Sequence, residues 1–102
     1  MLKVMFVCSA GMSTSLLVEN VKKAAVAKGT ELNVYAVGQS EAEKDLTQAQ
    51  ILLLGPQVGY LESKFRKKLE GTNVKLGKID MIAYGRMDGE KVLAQILELS
   101  QK

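Results

Sequence analysis

Apolar residues fall along this chain in short dense bursts separated by stretches where they recur every third or fourth position. Leu2 to Val7 is apolar apart from Lys3 and rich in β-formers, which predicts a buried strand. From Ser13 to about Lys28, Leu17, Val21, Ala24 and Ala25 recur at helical spacing, and Gly29 supplies a stop. Leu32 to Val37 predicts a second strand, closed by Gly38. Ser40, with Glu43 three residues on, matches a capping box and predicts a short helix over about 41 to 48. Ile51 to Leu54 predicts a third strand ended by Gly55-Pro56. Val58, Leu61, Phe65 and Leu69 then share one face of a helix that stops before Gly71. Val74 to Ile79 is a weaker fourth strand, and Asp88 can cap a last helix that turns Val92, Leu93, Ile96 and Leu97 inward.

Strands alternating with helices imply right-handed crossovers and a parallel sheet covered on both faces. The expected fold is α/β: a small doubly wound four-stranded parallel sheet, order 2-1-3-4, with helices on both faces. A chain of 102 residues suits one domain spanning 1–102, with enough length to bury a core. In such sheets the strand C-termini open on one edge, and ligands bind there at the topological switch point, here beside the first strand. That edge collects Cys8 to Ser15, Gly38-Gln39, Gly55 to Tyr60 and Asp80 to Tyr84.

Composition narrows the functional classes. The formal charge is +3, and the one basic knot, Lys64 to Lys68, reads as a solvated helix face. Few aromatic residues and no RNA-binding signature argue against a nucleic-acid partner. A single Cys excludes an internal disulfide framework and fits a reducing compartment. The N-terminus lacks the pattern of a signal peptide, and no apolar run, Ile51 to Leu54 included, is long enough to span a membrane. The expected location is the cytoplasm. With no His in the chain, His-based zinc sites and Ser-His or Cys-His catalytic pairs within it are excluded. Neither a metal nor a cofactor is expected.

The chemistry concentrates at FVCSAGMSTSLL, residues 6 to 17, where the only Cys stands at the exit of an apolar strand. A loop running from a strand into a helix points several unpaired N–H groups at one spot, and the helix dipole adds partial positive charge there. An anion suits that cradle. Ala10, Gly11 and Ser13 keep it uncrowded, while the hydroxyls of Ser9, Ser13, Thr14 and Ser15 can hydrogen-bond a ligand or cap the helix. The same field favours thiolate over thiol and makes Cys8 a nucleophile near neutral pH. A thiolate above a phosphate-sized nest can become a thiophosphate whose oxygens the loop, Ser9 to Ser15 with Met12 among them, then holds. Free Cys is also a common core residue, so simple packing is the alternative role.

Familiar neighbours of this pattern fail on particular residues. The nucleotide P-loop string is absent, and a thioredoxin-like pair would need a second Cys where Gly11 stands. A cysteine phosphatase loop, C-x5-R-[ST], would place Arg at position 14, which is Thr, and no Lys or Arg falls between residues 4 and 21. Without a guanidinium to stabilise transition-state charge, hydrolysis should be slow, which favours a phosphoryl carrier over a phosphatase. A phosphatase-like phosphohydrolase and a non-catalytic anion-binding module remain the rival readings.

CSAGMSTSLL at 8 to 17, LLGPQVGY at 53 to 60 and ID…YGxMDG at 79 to 89 together resemble the enzyme IIB component of the bacterial sugar phosphotransferase system, lactose/cellobiose (β-glucoside, chitobiose) type. The likeness runs over essentially the whole chain. It implies a fold similar to low-molecular-weight tyrosine phosphatases. It implies that a phosphohistidine of the IIA component phosphorylates Cys8, and that phosphocysteine passes the group to a sugar of the cellobiose, β-glucoside or lactose class. That sugar is bound by the membrane-embedded IIC permease during uptake. The absence of His agrees, because the donor histidine belongs to the partner. Contacts for the partners are expected at Ala10, Met12, Val58, Tyr60 and Tyr84, in small interfaces used in turn.

Overall fold

The computed structural model describes residues 1–9 and 12–102. Strand β1 (Leu2–Cys8) leads into helix α1 (Met12–Ala27), strand β2 (Leu32–Gly38) and helix α2 (Gln39–Lys44). A 3₁₀ turn at Leu46–Gln48 precedes β3 (Ile51–Leu54), and a 3₁₀ stretch at Pro56–Leu61 runs into α3 (Glu62–Lys68). Strand β4 (Lys75–Lys78) and helices α4 (Met81–Gly85) and α5 (Gly89–Ser100) complete the chain. The sheet is parallel throughout, in the order β2-β1-β3-β4. The order expected from the pattern is the order found.

The run of apolar residues in β1 has a direct cause. Alternate side chains of a strand point to opposite faces, and both faces here are covered. Val4 and Phe6 join Ile51 and Leu53 under Leu17 and Val21 of α1 and Val92 and Ile96 of α5. Met5 and Val7 join Leu52 and Leu54 under Ala42, Val58, Leu61 and Phe65. Each such buried side chain contributes about 1.5–3 kcal/mol relative to exposure. Among the described residues no helix is long and apolar enough to cross a membrane.

Three local expectations differ from the structure. Ser40 and Glu43 do not form a capping box. Helix α2 starts at Gln39 with Gly38 as N-cap and no side-chain cap bond, so Ser40 already lies in the first turn. The Glu43 carboxylate instead takes Lys64 at 2.8 Å and Gln39 at 2.8 Å. The predicted helix over 41 to 48 breaks at Asp45, whose side chain accepts from the Thr47 N–H and opens a separate 3₁₀ turn. Helix α4 lies where the pattern predicts no element. Met81, Ile82, Ala83 and Tyr84 are four apolar residues in a row and so carry no readable period. Asp80 caps α4, accepting from the Ala83 N–H at 2.9 Å.

The YGRMDG segment is a clamp between helices. Asn20 of α1 donates to the Met87 carbonyl at 2.8 Å, and Met87 adopts φ 52°. Asp88 caps α5 by accepting from the Lys91 N–H, as expected. A Cβ at Gly89 would collide with the Asn20 backbone, so the close approach of α5 to α1 requires glycine there.

Candidate functional site

Because all strands are parallel, their C-termini share one edge, and β1 lies at the switch point between β2 and β3. Cys8 is the last residue of β1, in register with Gly38. The next strand over ends at Leu54, and Gly55 then donates its N–H to the Val7 carbonyl at 2.8 Å. A Cβ at Gly55 would stand 3.6 Å from the Cys8 Cβ and 3.3 Å from the Val7 carbonyl oxygen, so glycine leaves room beside the thiol.

The cysteine's immediate partners are polar. Thr14, fully buried in the first turn of α1, donates its hydroxyl to Cys8 Sγ at 2.8 Å. The sulfur lies 3.8 Å from the Val37 carbonyl oxygen, toward which a thiol can donate. Thr14, six residues after Cys8, thus occupies the position of the phosphatase arginine and supplies a neutral donor instead. Cys8 is only 1 % exposed, so its sulfur is more enclosed than a nucleophile open to the helix mouth would be. Ser9 and Ser15 are exposed beside it. The expectations placed on Ala10 and Gly11, and on the side chains of Met12 and Ser13, lie outside the described residues.

Around this centre the edge carries a polar chain. The Tyr60 hydroxyl donates to Gln39 Oε1 at 3.0 Å, Gln39 Nε2 donates to Glu43, and Glu43 holds Lys64. Lys68 reaches the same carboxylate at 3.6 Å. The Lys64 ammonium, then the Gln39 amide, hold the Glu43 carboxyl down at about 2. Part of the basic knot is therefore tied to α2 rather than free for an acidic partner.

Of the expected partner contacts, Tyr60 is 71 % exposed at this edge. Two others are corrected. Val58 is fully buried beneath α3, because the 3₁₀ stretch turns it into the core. Tyr84 is buried too, its ring in the core of the α1–α5 face and its hydroxyl accepting from Gln57 Nε2 at 3.0 Å. Among the described residues, Leu16, Met81 and Ile82, besides Met1 and Val26, are further apolar side chains that are each more than half exposed. Leu16 had a visible signal, since it falls off the inner face marked by Leu17 and Val21.

The comparisons with known proteins agree with this geometry. Residues 3–95 match the family described as "PTS system, Lactose/Cellobiose specific IIB subunit". The chain is 43% identical over 99 residues to the oligo-beta-mannoside-specific EIIB component of Bacillus subtilis (strain 168), covering 97% of this chain and 96% of that protein. It is 40% identical over 92 residues to the galactose-specific EIIB component of Lactococcus lactis subsp. cremoris (strain MG1363), covering 85% of each. Its fold superposes on the lactose-specific IIB domain of Streptococcus pneumoniae with a TM-score of 0.84, over 95% of both chains at 16% identity. With the sheet order, the edge cysteine and these likenesses in hand, the chain belongs to the lactose/cellobiose-specific IIB family, the phosphotransferase components of the sugar phosphotransferase system.

Proposed function

We infer that this protein is a cytoplasmic phosphoryl carrier working through Cys8. The Cys8 thiolate attacks the phosphorus of a phosphohistidine on the IIA component. An S–P bond forms as the P–N bond breaks, and the electron pair returns to the imidazole nitrogen. A hydroxyl oxygen of a sugar bound by the membrane IIC component then attacks the same phosphorus. An O–P bond forms, the S–P bond breaks, the hydroxyl proton goes to a base on that side, and the thiolate is restored. Each step is an in-line displacement, so the protein's work is orientation and charge stabilisation.

The observation that carries this reading is the Thr14 hydroxyl aimed at the sulfur at the sheet's switch point, within a chain of the IIB family. Backbone N–H groups of the loop Ser9 to Ser15 would hold the phosphoryl oxygens. The enclosure of Cys8 sets a requirement: the sulfur must be uncovered when the donor docks. A thiol reagent should therefore react more slowly with the isolated protein than with a free cysteine. The sugar is of the cellobiose, β-glucoside or lactose class. Relatives of nearly equal identity serve an oligo-beta-mannoside and galactose, so the choice of sugar belongs to the membrane partner.

The test is incubation with phosphorylated IIA component. A mass gain of one phosphoryl group, located on Cys8 and absent in Cys8→Ser, is expected. Phosphorylation elsewhere, or rapid turnover of a generic aryl phosphate by the isolated protein, would overturn the carrier reading in favour of a phosphohydrolase.

A further inference from the structure

We propose that Gln57 is a further catalytic residue that contacts the phosphoryl group on Cys8, its carboxamide turning over as that group arrives. This rests on the carrier reading above. Gln57 is exposed, yet its side chain is held across the site edge. Its Oε1 lies 2.9 Å from the point where a Cβ at Gly55 would stand, and the Cys8 Cβ lies 3.6 Å from that same point. Its Nε2 donates to the Tyr84 hydroxyl at 3.0 Å. The bare glycine thus leaves open a point that lies within contact distance of both the carboxamide and the cysteine.

The frame behind Gln57 is firm. Gly55 N–H is bonded to Val7, the residue before Cys8, and the Val58 N–H closes back on the Gly55 carbonyl at 3.1 Å. Pro56 begins the 3₁₀ stretch, with its φ preset for the turn. A single part-buried glutamine–tyrosine hydrogen bond makes only a modest net contribution to folding.

In the unphosphorylated protein the amide oxygen lies against that open point beside Gly55. An anionic phosphoryl group there would be repelled by Oε1 and attracted by the –NH₂ donors. A half-turn of the carboxamide presents Nε2 to a phosphoryl oxygen. A neutral donor also suits a carrier. It binds the phosphoryl oxygens without the cationic charge that the phosphatase arginine brings to hydrolysis.

The test compares wild type with Gln57→Leu, which lacks a donor, and Gln57→Glu, which adds like charge and cannot donate when ionised. Each is phosphorylated by IIA, and the isolated phosphoproteins are followed by ³¹P NMR, which reads the phosphoryl environment with no partner bound. For Gln57→Leu, phosphorylation should slow by about tenfold, the loss of one hydrogen bond to a charged group. Its ³¹P resonance should move and its phosphoryl titration midpoint rise. For Gln57→Glu both effects should be larger. Tyr84→Phe, which removes the anchor and keeps the carboxamide, should slow phosphorylation less than Gln57→Leu does. If all variants match the wild-type resonance and midpoint, the contact does not exist, even if docking slows the rate. If wild type itself carries no phosphoryl group on Cys8, the underlying carrier reading fails instead.

Discussion

At the scale of single residues, the informative pair is Thr14 and Cys8. A hydroxyl fully buried and bonded to sulfur is not needed for packing volume, since valine has nearly the same shape. Thr14→Val should therefore fold, yet accept phosphoryl groups about ten- to a hundredfold more slowly, the cost of losing a donor to a charged sulfur. Thr14→Ser should recover most of the rate. Single-turnover phosphorylation by the IIA component, with a thermal melt beside it, measures both. Equal rates for Thr14→Val and wild type would remove the hydroxyl from the mechanism. The cysteine, its place at the strand exit and the hydroxyl residues after it are legible from the string CSAGMSTS. That Thr14 rather than Ser9 or Ser15 reaches the sulfur is not legible, because it depends on where the first turn of α1 stands against β2 and β1. Gln57 is equally hidden in sequence. Its relation to Cys8 passes through a missing Cβ on a neighbouring strand's exit.

At the scale of elements, two joints hold the helices in place. The first is α1 on α5. Gly89→Ala would drive a methyl group into the Asn20 backbone and should destabilise the fold by about 1–3 kcal/mol, read from urea unfolding. Asn20→Ala should cost about 0.5–1.5 kcal/mol, as it removes one partly buried bond to Met87. The second joint is α2 on α3, through Glu43 with Lys64 and Lys68. The folded Glu43 carboxyl titrates at about 2, below its ordinary 4.5, so its support is complete above about 4.5 and is lost as the pH falls toward 2. The wild type should therefore lose stability over that acid window more steeply than Lys64→Ala, in which less of this support exists to be lost. Thermal melts between pH 5 and pH 2, an experimental range spanning that window, decide the matter. The strands and the longer helices followed from apolar spacing, while α4, with Ala83 and Tyr84 buried, did not. The capping box at Ser40 did not, because Glu43 has a better partner on a helix that sequence spacing cannot bring near it.

At the scale of the whole molecule, the parallel sheet gathers every strand exit on one edge and thereby builds a rim around the cysteine. Tyr60 leaves β3 there, Met81 and Ile82 leave β4, and Leu16 rises from α1. Scattered exposed apolar residues are ordinary, but a group at the chemical edge suits a partner surface. Ile82→Asp and Met81→Asp should leave unfolding unchanged, because both side chains are already in water. They should raise the IIA or IIC concentration needed for half-maximal transfer without changing the maximal rate. A changed maximal rate with unchanged half-saturation would place them outside the docking surface.

What the amino-acid order determined by itself is what depends on local periodicity and residue type: the alternation of strands and helices, the sheet order it implies, a lone cysteine at a strand exit, and the absence of a cation in its loop. These survive because burial of one or both faces imposes a period that can be read without coordinates. What only the tertiary structure decided is what depends on distance between segments far apart in sequence. Thr14 on the sulfur, Gln57 between Gly55 and Tyr84, the burial of Val58 and Tyr84, and the glycine contact that seats α5 on α1 all arise from packing, where a single atom's presence or absence sets which groups can meet.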